Sequence, residues 1–343
     1  MHKKNPHIET LRGIAIFLVV AGHVIGSTPT GGMKIDYPSI WRFLYLWIDY
    51  LQMPLFTIIA GWVYALRPVE KSFRNTFITK KFFRLLIPMA TVGTIYFFIQ
   101  YLIPGTNNKG NLLEIWKIYL FPYTIYWYLP SLFIMFLLIM FIDIKKWANQ
   151  FSDWIYMTIG AYLFMLVQQN IIPESIPNIF SYKGAILLFP YFILGVGIQR
   201  FSSKLFSSKK KYIYLLFTFT GITFCGLNWF YSLHNSALYE NLEPLGIMSL
   251  LILLLHQNYT SPFWEWIGKY AYSIYLFHGF GTSGGRIILS YLGVQNQLIV
   301  FTFSTSIALL GPILIDTILS RWNILKITLL GKKKQISIYK STQ

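Results

Sequence analysis

The stretch "ETLRGIAIFLVVAGHV", Glu9–Val24, decides the fold class. Most of it is an apolar run approaching the length of a membrane helix, about 20 residues. Three ionisable residues interrupt it: Glu9 and Arg12 at its start, His23 near its end. Ionisable groups in hydrocarbon are costly, so their presence in such a run points to function. Arg12 and His23 stand eleven positions apart, which on a helix is three turns plus about 20°. Their side chains therefore share one face, about 16 Å apart along the axis at 1.5 Å per residue.

The rest of the chain extends this reading. Of 343 residues, 55% are hydrophobic, 19% aromatic and 12% charged, where a soluble domain carries about 25% charge. Mean hydropathy is +0.51. Ten apolar stretches are candidate spans: 8–26, 43–66, 82–103, 125–143, 151–171, 183–200, 211–231, 243–257, 267–289 and 297–320. The expected fold is an all-α polytopic bundle. It forms a single integral membrane domain over 1–343, with short tails at about 1–7 and 321–343. The first run is too long and too rich in ionisable residues for a cleaved signal peptide. The ninth contains "GFGTSGG", Gly279–Gly285, a place where a helix is expected to break or kink.

Net charge is +17, and its placement matters more than its size. Arg67, Lys71, Arg74, Lys80, Lys81 and Arg84 follow the second span, Lys145 and Lys146 the fourth, and Arg200, Lys204, Lys209, Lys210 and Lys211 the sixth. Alternate loops are thus basic, the pattern of cytoplasmic loops. An even number of spans puts both termini inside. The excess of lysine and arginine reads as a topology signal with affinity for anionic membrane lipid, so no nucleic-acid partner is expected. One cysteine, Cys225, excludes an internal disulfide and a cysteine metal cluster. His2 and His7 lie in the tail, and no histidine has a neighbouring ligand pattern, so no metal is expected. No P-loop, dinucleotide fingerprint or serine elbow occurs.

Several residues admit two readings from spacing alone. Arg12 could snorkel to the headgroups with Glu9 as its partner. His23 could hydrogen-bond a neighbouring helix, or exchange protons near neutral pH. His278 is either a second catalytic or acceptor-binding residue or a packing residue. Asp49 is a functional acid near His23 or an interfacial residue. Trp127 stacks on a sugar or belongs to an aromatic belt.

The first helix resembles the membrane acyltransferase-3 family, whose first-helix signature has an arginine, ten residues, then a histidine. "MPLFTIIAGWVYA" (Met53–Ala65), "KKFFRLLIP" (Lys80–Pro88), "YWYLPSLFIMFLL" (Tyr126–Leu138) and "YSIYLFHGF" (Tyr272–Phe280) are similar to further family segments, in the same order. Two departures stand out. Ala60 replaces the usual serine, and Lys80 and Lys81 replace paired arginines. A lysine cannot grip phosphate with a bidentate fork.

The resemblance implies an integral membrane O-acetyltransferase, in a bacterial plasma membrane. The acetyl donor is acetyl-CoA from the cytoplasm, with no tightly bound cofactor. The acceptor is a hydroxyl of a surface polysaccharide or lipid-linked glycan. Catalysis falls to His23 with Arg12 and Glu9, and Glu9 orients Arg12. Donor binding falls to Arg12, Lys80, Lys81 and Arg84. Acceptor binding falls to His278, Asp49 and Trp127. His23 acts either as the base for the acceptor hydroxyl or as a transient acyl carrier. The alternative class is a transporter or flippase for a lipid-linked or anionic solute, which also needs buried charges and a basic mouth. Acceptor identity and oligomeric state have no readable code.

Overall fold

The structure, a computed structural model, describes residues 5–106, 109–206, 208–231 and 237–332. All regular structure among these residues is helical. Ten long helices form the bundle. They are α1 (Pro6–Ile25), α2 (Ile40–Ala65), α3 (Arg74–Leu102), α5 (Tyr128–Ile144), α6 (Phe151–Asn170), α7 (Tyr182–Arg200), α9 (Ser208–Tyr231), α10 (Ala237–His256), α12 (Ala271–Tyr291) and α13 (Gln297–Leu319). Short helices α4 (Lys117–Leu120), α8 (Ser202–Leu205), α11 (Pro262–Lys269) and α14 (Asn323–Thr328) connect or follow them.

The ten long helices fall where the ten apolar stretches lie. Among the described residues, six segments are long and apolar enough to cross a membrane: Pro6–Ile25, Ile40–Ala65, Lys71–Leu102, Leu112–Ile144, Ile179–Arg200 and Gln297–Leu319. Helix α3 begins eight residues before its expected start, because "RNTFITKK" continues the helix beyond the apolar run.

Helix α1 occupies the centre, with α2, α11, α12 and α13 packed on it. Its start is set by Asn5, whose side chain accepts from the His7 and Ile8 amides, and by Pro6 in the first turn. That combination satisfies orphan amides where proline needs none. His7 is buried rather than part of a tail: its ring nitrogens lie 2.7 Å from the Tyr259 carbonyl and 3.1 Å from that of Leu254. His2 lies outside the described residues. Against α11 the helix backbones nearly touch. A methyl on Gly13 would come within 2.0 Å of the Trp264 carbonyl oxygen, and one on Gly268 within 1.9 Å of that of Glu9. Only glycine allows this approach.

The ninth stretch departs from expectation. Its interruption falls at Tyr270, between α11 and α12, and α12 runs unbroken through "GFGTSGG". The glycines serve packing: a methyl on Gly281 would lie 2.5 Å from the Ala308 Cα of α13, and one on Gly285 2.8 Å from the Ser304 Cα. Each interior glycine costs about 1 kcal/mol relative to alanine; close contact along α13 offsets it.

At one end of the bundle the helix termini carry charge. Arg200 forks onto Asp143 at 2.9 and 2.7 Å, and the Tyr64 hydroxyl donates to the same carboxylate at 2.7 Å. This pins the ends of α2, α5 and α7. Lys332 donates to both oxygens of the buried Asp316, at 2.5 and 2.6 Å, and Ser273 donates to it as well. We refer to this end as the basic end.

Candidate functional site

A cavity of about 390 Å³ opens between α1, α2, α3, α5, α11 and α12 at the basic end. Arg12, Arg67, Lys81, Arg84 and Lys269 line it. The α-helical repeat explains which lysine of the pair takes part. Lys81 and Arg84 are three positions apart and share a face, while Lys80 is turned away, exposed and outside the lining. The expectation that Lys80 joins the site therefore fails on helical geometry.

The five cations differ in their surroundings. Arg12 donates to Glu9, one turn earlier, at 2.8 Å, and the Glu9 side chain is buried. The Lys81 ammonium sits 3.2 Å above the Phe136 ring. The Arg84 guanidinium lies 3.9 Å over Tyr272 and donates to the Leu330 carbonyl at 3.0 Å and that of Gly331 at 3.4 Å. Among the described residues no carboxylate pairs with Lys81, Arg84 or Arg67.

The cavity runs inward from its cationic mouth. On α5 its wall passes from Phe136 through Leu132 and Leu129 to Tyr128, a rise of about 12 Å at 1.5 Å per residue. From Arg67, just past the end of α2, it follows Val63, Ala60, Ile59 and Phe56 along that helix. The wall is apolar and aromatic, and Ala60 sits in it. On α12 the wall is Tyr272 and Tyr275.

Tyr275 leads to the histidines. Its ring centroid is 5.9 Å from those of both Tyr128 and His278. His278 is fully buried, and its ring lies 5.1 Å from that of His23, tilted by 41°. Two residues 255 positions apart in sequence thus form an imidazole pair. The His278 Nδ1 faces the Tyr275 carbonyl at 2.8 Å and that of Ile274 at 3.2 Å. Carbonyls only accept, so Nδ1 carries the proton. Nε2 is left as a lone-pair acceptor, buried and without a partner. His23 is exposed, although four helices pack on α1. Its accessible surface therefore borders a gap among helices. His23 does not line the cationic cavity; the wall reaches it through Tyr275 and His278.

Beyond His23 the chain is held by Arg42, near the start of α2. It is 1% exposed and donates to the carbonyls of Gly26 (2.7 Å), Ile35 (2.8 Å), Thr28 (3.1 Å) and Ile25 (3.5 Å). It thus satisfies carbonyls at the end of α1 that a helix leaves unpaired. Asp49 is exposed and accepts from Gln52 at 2.7 Å and Tyr45 at 3.2 Å. Gln52 in turn abuts Gly22, the residue before His23: a methyl there would meet its Oε1 at 2.9 Å. Asp49 is thereby two contacts from His23. Trp127 is half-buried and lies outside the cationic cavity, in a separate groove.

Sequence reasoning missed Lys269, Tyr128, Tyr272 and Tyr275 as wall residues. A signal existed for two of them. Tyr272, Tyr275 and His278 recur every third residue, close enough to helical periodicity to form one stripe. Among the described residues no group of three or more His, Cys, Asp or Glu is arranged to hold a metal.

No curated protein and no solved structure matches the chain. The family model described as an acyltransferase domain matches residues 5–317. That interval contains every residue of the cavity and both histidines, and the chain accordingly belongs to the acyltransferase-3 family.

Proposed function

We propose that this acyltransferase moves an acetyl group from acetyl-CoA to a hydroxyl of a surface polysaccharide or lipid-linked glycan, across a bacterial plasma membrane. The ten long helices read as ten crossings, with both termini and the basic end in the cytoplasm. The observation that carries the proposal is the succession from five cations, along an aromatic cavity wall, through the Tyr275 ring to an imidazole pair. Family membership favours this reading over a carrier for anionic solutes.

In this mechanism the phosphates of acetyl-CoA rest on Arg12, Lys81 and Arg84, where charge-assisted hydrogen bonds are strongest. Arg67 and Lys269 add positive potential at the same mouth. The pantetheine arm extends along α5 past Ala60 toward Tyr128 and Tyr275. The acceptor hydroxyl comes from the opposite end, past Asp49, to His23. His23 takes the hydroxyl proton as the oxygen attacks the thioester carbon. The new C–O bond forms, the C–S bond breaks, and the departing thiolate recovers the proton. His278, its Nδ1–H fixed by carbonyls, keeps a free Nε2 lone pair next to the His23 ring; a small turn of His23 would let that lone pair accept its N–H and set the tautomer a base needs. The same pair would serve an acyl-His23 intermediate; single-turnover kinetics with acetyl-CoA alone distinguish the two routes, because only the second releases CoA before acceptor is added.

The test uses the full-length protein in membranes, with labelled acetyl-CoA and extracted envelope glycan. His23→Ala is expected to lower acetyl transfer by about 10² to 10⁴, the range for a lost acid–base group. Arg12→Ala is expected to raise the KM for acetyl-CoA more than His23→Ala does. Normal acetylation by the His23 variant would end the catalytic role. Movement of an intact solute, with no cleavage of acetyl-CoA, would establish the carrier instead.

A further inference from the structure

A second opening, about 330 Å³, lies between the turn preceding α5, the last turn of α6 and the start of α7. Trp127, Gln168, Gln169, Asn178 and Ser181 line it. None of these residues borders the cationic cavity. Tyr128, the residue after Trp127, marks the inner end of that cavity, so the first turn of α5 separates the two openings.

The groove is built at a cost in backbone conformation. Phe180 and Ser181 are successive non-glycine residues in the left-handed region, at φ 54° and 57°. Thr124, which opens the turn carrying Trp127, has φ 41°. Bulky residues avoid this region, and where such conformations persist they mark sites that the surrounding structure holds in place. Two of these three residues also carry a buried hydroxyl without a partner: Ser181 Oγ and Thr124 Oγ1. Ser181 is 1% exposed and forms part of the groove wall. The Trp127 indole is seated on Gly184, where a methyl would come within 2.7 Å of the ring.

The lining chemistry selects the ligand. Gln168 and Gln169 make no side-chain hydrogen bond among the described residues. Asn178 Oδ1 accepts from the Lys183 amide at 3.0 Å, which leaves its two amide donors. Lys183 directs its ammonium to the carbonyls of Pro173 (3.3 Å) and Glu174 (3.2 Å). The groove thus offers paired donors and acceptors and an aromatic ring, with its one cation bound to backbone. A nucleotide or acidic ligand would find no free charge. A sugar matches: its hydroxyls both donate and accept, and its C–H face packs on an indole.

We infer that this groove is a saccharide subsite, holding a neutral sugar unit of the acceptor away from the reacting hydroxyl. The inference rests on the glycan-acetyltransferase reading above for the identity of that acceptor. The test is saturation-transfer NMR on the full-length protein in micelles, with cellotetraose, maltotetraose and tetra-N-acetylchitotetraose as probes. At least one probe is expected to receive saturation. Trp127→Ala should weaken its binding about tenfold, the size of effect that losing an aromatic anchor produces. Trp127→Phe should restore part of it. The Gln168→Ala and Gln169→Ala double variant should weaken binding as well. The inference is overturned if no probe binds, or if Trp127→Ala binds like the wild type. Acetyl-CoA binding, measured alongside, reports on folding. If Trp127→Ala loses both ligands, the double variant decides: unchanged sugar binding overturns the subsite, weakened binding supports it. Sugar binding without acetyl transfer by the wild type would overturn the acetyltransferase reading and leave the groove standing. Acetyl transfer with no probe bound would do the reverse.

Discussion

Arg200 and Lys81 both lie near the basic end, and they are treated in opposite ways. Arg200 is held by two parallel hydrogen bonds to Asp143, with Tyr64 filling a further position on the carboxylate. Lys81 has an aromatic ring beneath it and no carboxylate. The fold therefore neutralises a partly buried cation where it needs a fixed joint, and on the cavity wall it pairs Arg12 with Glu9 and Lys269 with Glu265 but gives Lys81 and Arg84 no carboxylate among the described residues. Removing one partner of a buried pair strands the other. A cation that has no partner strands nothing when it is removed, and it remains available to an anionic ligand.

Substitutions can break this contrast. The largest expected effect is on the joint: Asp143→Ala leaves Arg200 uncompensated and should cost about 3 kcal/mol of stability. Thermal unfolding in detergent would detect the loss, and an unchanged melting temperature would show that the joint is dispensable. Lys81→Met should leave melting unchanged or raise it, while raising the KM for acetyl-CoA about tenfold, as expected for one charge-assisted hydrogen bond. An unchanged KM would remove Lys81 from the donor site. Smallest is the effect of Lys80→Met, within about twofold in KM because the side chain is solvent-facing and remote. An effect as large as that of Lys81 would mean that the helix presents its other face to the donor.

Much of the bundle was legible because hydrocarbon-length apolar runs have few alternatives. The shared face of Arg12 and His23 could be read from local pattern, whereas the Asn5–Pro6 start of α1 falls in residues expected as tail. Other features depended on partners remote in sequence. The choice between Lys80 and Lys81 depends on which face of α3 meets α5. Gly281 and Gly285 looked like helix breakers because their packing partners on α13 lie more than 15 residues away in sequence. His23 and His278 are adjacent only because α12 packs on α1. The separation of Trp127 from the cationic cavity likewise depends on where the first turn of α5 falls.

The Gly13–Gly268 crossing has a mechanical consequence. With carbonyl oxygens of α11 and α1 already where a methyl would sit, the central helix has no clearance to slide or rotate against α11. Carriers built on alternating access depend on one bundle rocking past another. Here the element bearing Arg12 and His23 is held against α11 at Glu9 and Gly13, near its start, so the two helices are fixed to one another there. Under the proposed acetyltransferase reading, the reach of a flexible thioester arm, rather than a rocking of α1 past α11, would carry the acyl group.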